Sequence, residues 1–183
     1  MVVEVPVKGY FEENCFFFID DETKHGFLID PGAQAKGLLA LIRREGWGIE
    51  KILLTHGHFD HTGAVEEVRR VLNVPVLAHE RADEYLLDAR KNLSSLCGPP
   101  VLVRNVQYLR DGDVVALDAN PACRLQVRYT PGHTTDSVVY YSEREKAAFV
   151  GDTIFKGCIG SYQYPGGNLK DLQRSIILNY SRR

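Results

Sequence analysis

Cysteine is scarce in this chain, and its four copies, Cys15, Cys97, Cys123 and Cys158, stand far apart with no C-x-x-C pair. That spacing excludes a disulfide framework and a thiolate zinc site, and leaves free thiols that are expected to be buried. Basic clusters are missing too. Lysine and arginine are scattered apart from Arg69-Arg70 and Arg182-Arg183, and net charge is −2, so no electrostatic footprint for nucleic acid or an anionic membrane is present. Long apolar runs are absent: residues 15–19 are far too few to span a bilayer. Met1-Val2-Val3-Glu4-Val5-Pro6-Val7 has neither the basic start nor the long apolar centre of a secretion signal. These absences predict a cytoplasmic protein. With no composition break, internal repeat or low-complexity linker in 183 residues, a single domain over 1–183 is expected.

What is present alternates strand and helix patterns. Val3, Val5 and Val7 alternate with Glu4, Pro6 and Lys8, and Pro6 places this strand at an edge or a bulge. Apolar runs at 15–19 and 26–29 flank a polar connection in which His25 reads as a solvated turn residue. Asp30-Pro31-Gly32 forms a turn. Ala35, Leu38, Leu39 and Ile42 then follow helical spacing up to Gly46, a candidate helix terminus. A short strand at 51–54 precedes a helix running from Asp60 to about Asn73, with Ala64, Val65, Val68, Val71 and Leu72 on its core face. Pro75-Val76-Leu77-Ala78 completes a β-α-β unit. Helical spacing over 80–91 makes Ala82, Tyr85, Leu86 and Ala89 core contacts. The irregular stretch 94–100 reads as a surface loop or the wall of a pocket, and β patterns follow from Tyr108 to Val150.

The chemistry concentrates at Thr55-His56-Gly57-His58-Phe59-Asp60-His61, where three imidazoles and a carboxylate fall within six positions between a strand and a helix. Imidazole suits zinc and iron, and carboxylate tolerates bridging two cations. His56 and His58 point to one side of an extended segment, while Asp60 and His61 lie a turn further on. Nothing beside them resembles an activated Ser or Cys nucleophile. The ends of two later strands carry further donors: His133 in Thr130-Pro131-Gly132-His133-Thr134-Thr135-Asp136-Ser137, and Asp152 after Gly151. Strand ends are where open α/β folds place their chemistry. His79, ahead of the 80–91 segment, reads as a capping or solvent-facing residue rather than a ligand.

The segments His56-Gly-His58-Phe-Asp60-His61, Pro131-Gly-His133-Thr and Gly151-Asp152-Thr-Ile-Phe resemble the metallo-β-lactamase fold hydrolases, especially their glyoxalase II-like branch. Phe27-Leu-Ile-Asp30-Pro-Gly32, Gly157-Cys-Ile-Gly160 and Pro165-Gly-Gly167 extend the resemblance over nearly the whole chain. It implies an α/β fold, an αβ/βα sandwich of two mixed β-sheets with outer helices and a metal site where loops of both sheets converge. It further implies that His56, His58 and His133 hold a first metal, that Asp60 and His61 serve a second, and that Asp152 bridges them. A water or hydroxide shared by the cations would be the nucleophile, with Asp60 as the catalytic group orienting it. Asp30, Thr55 and Thr134 are candidates for fixing the imidazoles from behind, with capping or turn stabilisation as the alternative. One or two Zn2+ ions are the implied cofactors.

The chain departs from the resemblance in one respect: no histidine follows His133, whereas dinuclear members supply a further one from a strand and loop after the last helix, here about 169–180. The second metal is therefore a donor short, which leaves open a weak site completed by water, a ligand supplied by a partner chain, or a truncated and poorly active protein, and the C-terminally shortened sandwich leaves an edge uncovered that invites pairing with another copy. The leading expectation is hydrolysis of a thioester such as S-lactoylglutathione. A mononuclear Fe2+ site of His56, His133 and Asp152, resembling persulfide dioxygenases, and a catalytically impaired, oligomerising metal-binding scaffold stay open. β-Lactam hydrolysis and RNA processing are disfavoured, the latter for want of a basic insert. The partner is expected to be a small-molecule substrate, with Tyr162, Tyr164 and Lys156 as candidate contacts. Rim or core positions for the tyrosines and a surface position for Lys156 are the alternatives, and Cys158 is expected to be buried.

Overall fold

The structure is a computed structural model describing residues 1–180, so Ser181 and the basic pair Arg182-Arg183 lie outside the described residues. β1 (Val2–Lys8), β2 (Glu12–Ile19) and β3 (His25–Ile29) form an antiparallel meander. After α1 (Ala35–Glu45), β4 (Gly48–Leu53) joins parallel to β3. The crossover from β4 consists of α2 (Phe59–Thr62) and α3 (Val65–Leu72), and leads to β5 (Val76–His79). α4 (Asp83–Leu86) and a 3-10 turn at Ser94–Leu96 precede β6 (Gln107–Leu109), which completes a six-stranded mixed sheet ordered β1-β2-β3-β4-β5-β6. Pro6 is accommodated because β1 is the edge strand.

The second sheet contains β7 (Val114–Ala116), β8 (Arg124–Tyr129), β9 (Val138–Ser142) and β10 (Ala147–Phe149), ordered β10-β9-β8-β7 and antiparallel throughout. A small hairpin of β11 (Ile154–Phe155) and β12 (Cys158–Ile159) and the helix α5 (Leu169–Tyr180) follow. Strand alternation splits the apolar residues into two cores. Phe18, Phe27, Ile29 and Leu53 of the first sheet face Leu125, Val127, Val138 and Tyr140 of the second. The opposite face of the first sheet, with Cys15, Phe17, Leu28 and Ile52, packs beneath Leu38 and Ile42 of α1 and Val65 and Val68 of α3. This is the expected sandwich with outer helices.

Three local expectations are corrected. The helix expected from Asp60 to Asn73 is broken at Gly63 and Ala64 into α2 and α3, and on α3 Val65 and Val68 are buried while Val71, expected on the same face, is 55% exposed. A β-carbon at Gly63 would meet the Gly32 carbonyl oxygen at 2.4 Å, so the break accompanies close packing on the 30–32 turn. The helix expected over 80–91 is reduced to the four residues of α4, although Ala82, Tyr85 and Leu86 are buried as their spacing implies. Cys158 is exposed and Cys97 half-buried, because β12 pairs only with β11 in a hairpin outside both sheets and Cys97 follows an irregular turn. No helix among the described residues is long and apolar enough to cross a membrane.

Candidate metal centre

The loop after β4 is pinned to both sheets. The Thr55 backbone N–H and hydroxyl donate to the two carboxylate oxygens of Asp30, at 2.8 and 2.6 Å, beyond the end of β3. From the second sheet, the Tyr140 hydroxyl donates to the Leu54 carbonyl at 2.9 Å and the Val138 N–H to the Thr55 carbonyl. The chain therefore leaves the sheet in a fixed direction. His56 and His58 alternate as expected, and Gly57 between them lies against Tyr85: a β-carbon there would stand 2.5 Å from the Tyr85 β-carbon.

Three imidazoles converge at one point. His58 Nδ1 lies 3.1 Å from His56 Nε2 and 3.0 Å from His133 Nε2. A single ring N–H satisfies only one of those neighbours, so this geometry leaves lone pairs directed at a common centre. The distal nitrogens are held from behind, His56 Nδ1 by the Thr55 hydroxyl at 3.2 Å and His133 Nδ1 by donation to the Ser161 carbonyl at 2.6 Å. Burial, followed by the neighbouring imidazoles, holds His56 and His58 well below the usual imidazole range. Burial also lowers His133. Neutral imidazoles are what a divalent cation requires, and these three donors fit one.

A second donor set adjoins the first. His61 Nε2 lies 3.3 Å from Asp152 Oδ1, and His133 Nε2 lies 3.5 Å from Asp152 Oδ2. His61 Nδ1 is 3.0 Å from Asp30 Oδ2. Burial opposes charge on both His61 and Asp152. Their mutual attraction prevails, raising the His61 imidazole well above its ordinary value and holding the Asp152 carboxyl at about 2. Asp60 lines the adjoining cavity of about 290 Å³ with His61 and Asp152 but does not enter either close donor set. Burial raises its carboxyl.

The remaining sequence candidates divide. Asp30 stands behind His61, and Thr55 behind His56. Thr134 does not touch His133: its hydroxyl is 2.6 Å from the Ser137 hydroxyl and stabilises the turn. Tyr162, Tyr164 and Lys156 are all exposed, but only Tyr164 presents its ring to the donors, edge-on at 5.7 Å from His58 and 6.2 Å from His133. His79 is buried and stacks on Tyr129 at 4.4 Å, apart from all donor sets, so burial replaces the expected solvent-facing position. His25 pairs with Glu50 at 2.8 Å.

Two acidic residues escape motif reading. Glu13 lies 3.5 Å from His61 Nδ1, and burial, followed by the nearby carboxylates against the pull of His61, raises it to about 9. Its signal was parity: on β2, Glu13 shares the inward phase of the wholly buried Cys15, Phe17 and Ile19. Asp136 is buried beside the Gly57 backbone, and burial pushes its carboxyl up to about 7. Its burial had no signal in a polar turn.

The family model of the metallo-beta-lactamase superfamily matches residues 9–183. The chain belongs to that superfamily. It is 36% identical to a Bacillus subtilis (strain 168) protein named "Probable metallo-hydrolase YqgX", over 92% of this chain and 78% of the relative. It is 29% identical to hydroxyacylglutathione hydrolase GloC of Haemophilus influenzae, over 96% of this chain and 82% of the relative. Among solved structures, BLEG-1 B3 metallo-beta-lactamase superposes with a TM-score of 0.90 at 33% identity, covering 98% of this chain and 85% of that one. TTHA1623 in a di-iron-bound form superposes at 0.81 with 32% identity, covering 99% and 87%. This superfamily member is thus a metal-binding hydrolase by kinship, with the donor geometry to match.

Proposed function

We propose that this metallo-beta-lactamase superfamily member hydrolyses a thioester of a small acyl thiol, using a cation held by His56, His58 and His133. The convergence of three neutral, buried imidazole nitrogens on one point carries the reading. Its thioester part is supported by similarity to a hydroxyacylglutathione hydrolase. A divalent cation bound there supplies a Lewis acid for the carbonyl oxygen and brings the pKa of a water molecule to about 7. Thr55, Asp30 and the Ser161 carbonyl hold the imidazoles in their donating tautomers. Asp60, on the cavity wall, accepts a proton from the attacking water. Water adds to the carbonyl carbon, the carbon–sulfur bond breaks, and the thiol leaves with a proton while the acyl group becomes a carboxylic acid. Tyr164, edge-on to His58 and His133, borders the approach to the carbonyl.

Turnover of S-lactoylglutathione and simpler acyl thiols by the zinc-loaded protein tests this reading. His58→Ala is expected to lower kcat/KM by at least ~100-fold, consistent with the loss of a ligand to the catalytic ion. Undiminished turnover would sink the assignment. A cephalosporin hydrolysed faster than every acyl thiol would overturn the thioester while sparing the metal centre.

A second reading has its own observation: His133 and Asp152 approach to 3.5 Å, and His56 groups with Asp152, the two-histidine, one-carboxylate set of non-haem iron oxygenases. About one iron per chain, with oxygen uptake on adding a persulfide, would establish it in place of hydrolysis.

A further inference from the structure

A metal-bound imidazole keeps its orientation through the N–H on its other ring nitrogen, and that N–H needs an acceptor. His56 Nδ1 has the Thr55 hydroxyl, His133 Nδ1 the Ser161 carbonyl and His61 Nδ1 the Asp30 carboxylate. His58 differs. Its Nδ1 is the nitrogen turned toward His56 and His133, and its Nε2 is buried with no hydrogen-bond partner. The ligand at the middle of the imidazole cluster therefore carries a buried donor without an acceptor.

The same neighbourhood buries acceptors without a donor. Asp136 is 1% exposed, and neither of its carboxyl oxygens has a hydrogen-bond partner. Topology makes the two orphans neighbours. The Val138 N–H donates to the Thr55 carbonyl at 2.8 Å, so the 55–58 turn runs beside residues 136–138. A β-carbon at Gly57, the residue before His58, would stand 3.3 Å from Asp136 Oδ2 and 2.5 Å from the Tyr85 β-carbon. The Tyr85 ring is perpendicular to His58 with centroids 5.8 Å apart, and its hydroxyl accepts from the N–H of Thr135, next to Asp136. Other acceptors bordering Tyr85 are taken: the Pro165 carbonyl by the Tyr85 hydroxyl, and a Glu84 oxygen by the Thr135 hydroxyl. We propose that Asp136 is the positioning residue of His58, receiving its Nε2–H across one water molecule and so keeping Nδ1 aimed at the cation. An aspartate side chain accepts in either protonation state, so the role does not depend on its ionisation. The proposal rests on the reading of the histidine cluster as a metal centre.

Zinc affinity is measured by competition with a chelating dye, and the imidazole N–H resonances of the zinc-loaded chain by 1H–15N correlation. Asp136→Ala should weaken zinc binding at least ~10-fold, and Asp136→Asn, whose amide oxygen still accepts, at least ~3-fold. In the parent the His58 Nε2–H should give a slowly exchanging resonance that is lost in Asp136→Ala, while the His133 Nδ1–H resonance, held by the Ser161 carbonyl, stays in place. Metal-free Asp136→Asn fills the same space and should unfold at or above the parent's Tm at pH 8, which separates its zinc defect from misfolding. Zinc affinity within about twofold of the parent in both variants, or a His58 resonance unchanged in Asp136→Ala, would overturn the proposal. So would His58 and His133 resonances displaced alike, which mark a general shift of the turn. Failure of the parent to bind zinc would instead overturn the metal-centre reading.

Discussion

Asp136 is where a single residue makes the stability of this protein pH-dependent. Both its carboxylate oxygens are buried without a hydrogen-bond partner, and burial raises it to about 7. An unfolded aspartate titrates near ~3.9, so between there and about 7 the folded chain holds a proton that the unfolded chain has lost. The stability this contributes is complete below the unfolded value and is lost as pH rises through 7. Asp136→Asn is therefore expected to flatten the fall of Tm between pH 5 and 8 and to stabilise the metal-free protein above pH 7 by ~1–3 kcal/mol. Parallel Tm profiles for the two proteins would refute it. Asp152 acts in the opposite sense: held at about 2 against burial by His61, it contributes stability above the unfolded value that is lost as pH falls toward 2.

At the scale of the element, the turn from β4 into α2 is set by contact rather than by helix propensity. Gly57 has α4 as its neighbour, with the Tyr85 hydroxyl donating to the Pro165 carbonyl and accepting from the Thr135 N–H at 3.0 Å each. Tyr85 thus ties α4 to the turn that carries His133 and to the 161–167 stretch. Gly57→Ala forces a β-carbon against the β-carbon of that anchored side chain. It is expected to cost ~1–3 kcal/mol of stability and to weaken zinc binding, because His56 and His58 move with the backbone between them. Calorimetric unfolding and zinc competition with a chelating dye measure both; a Tm and zinc affinity equal to the parent's would show that Tyr85 yields freely.

Across the whole molecule, the donors follow strand ends of both sheets, His56 and His58 in the loop after β4 and His61 in α2 beyond it, His133 after β8 and Asp152 after β10. A cation held by them ties the two layers of the sandwich together at one rim. Binding confined to the folded state stabilises it by RT ln(1 + [L]/Kd), ~4 kcal/mol at a thousandfold excess over Kd. Chelation is accordingly expected to lower Tm by several degrees, with restoration on adding Zn2+. An unchanged Tm in excess chelator would mean the cation contributes nothing to the closure of the sandwich.

The sequence by itself determined the metal-ligand types, their spacing and their positions after strand ends. Pro6 at an edge, Gly46 and Asn73 at helix ends, and the histidines of 55–61 were all legible, because caps, turns and ligand spacing are local. Tertiary structure alone decided which groups meet. His58 and His133 are 75 residues apart, and only the packing of one sheet on the other brings their nitrogens to 3.0 Å. The same packing broke the expected helix at Gly63, turned Thr134 toward Ser137 rather than His133, and enclosed Glu13 and Asp136. Burial depends on what the rest of the chain places over a residue, so the ionisation of these acids follows from the closed sandwich and not from their neighbours in sequence.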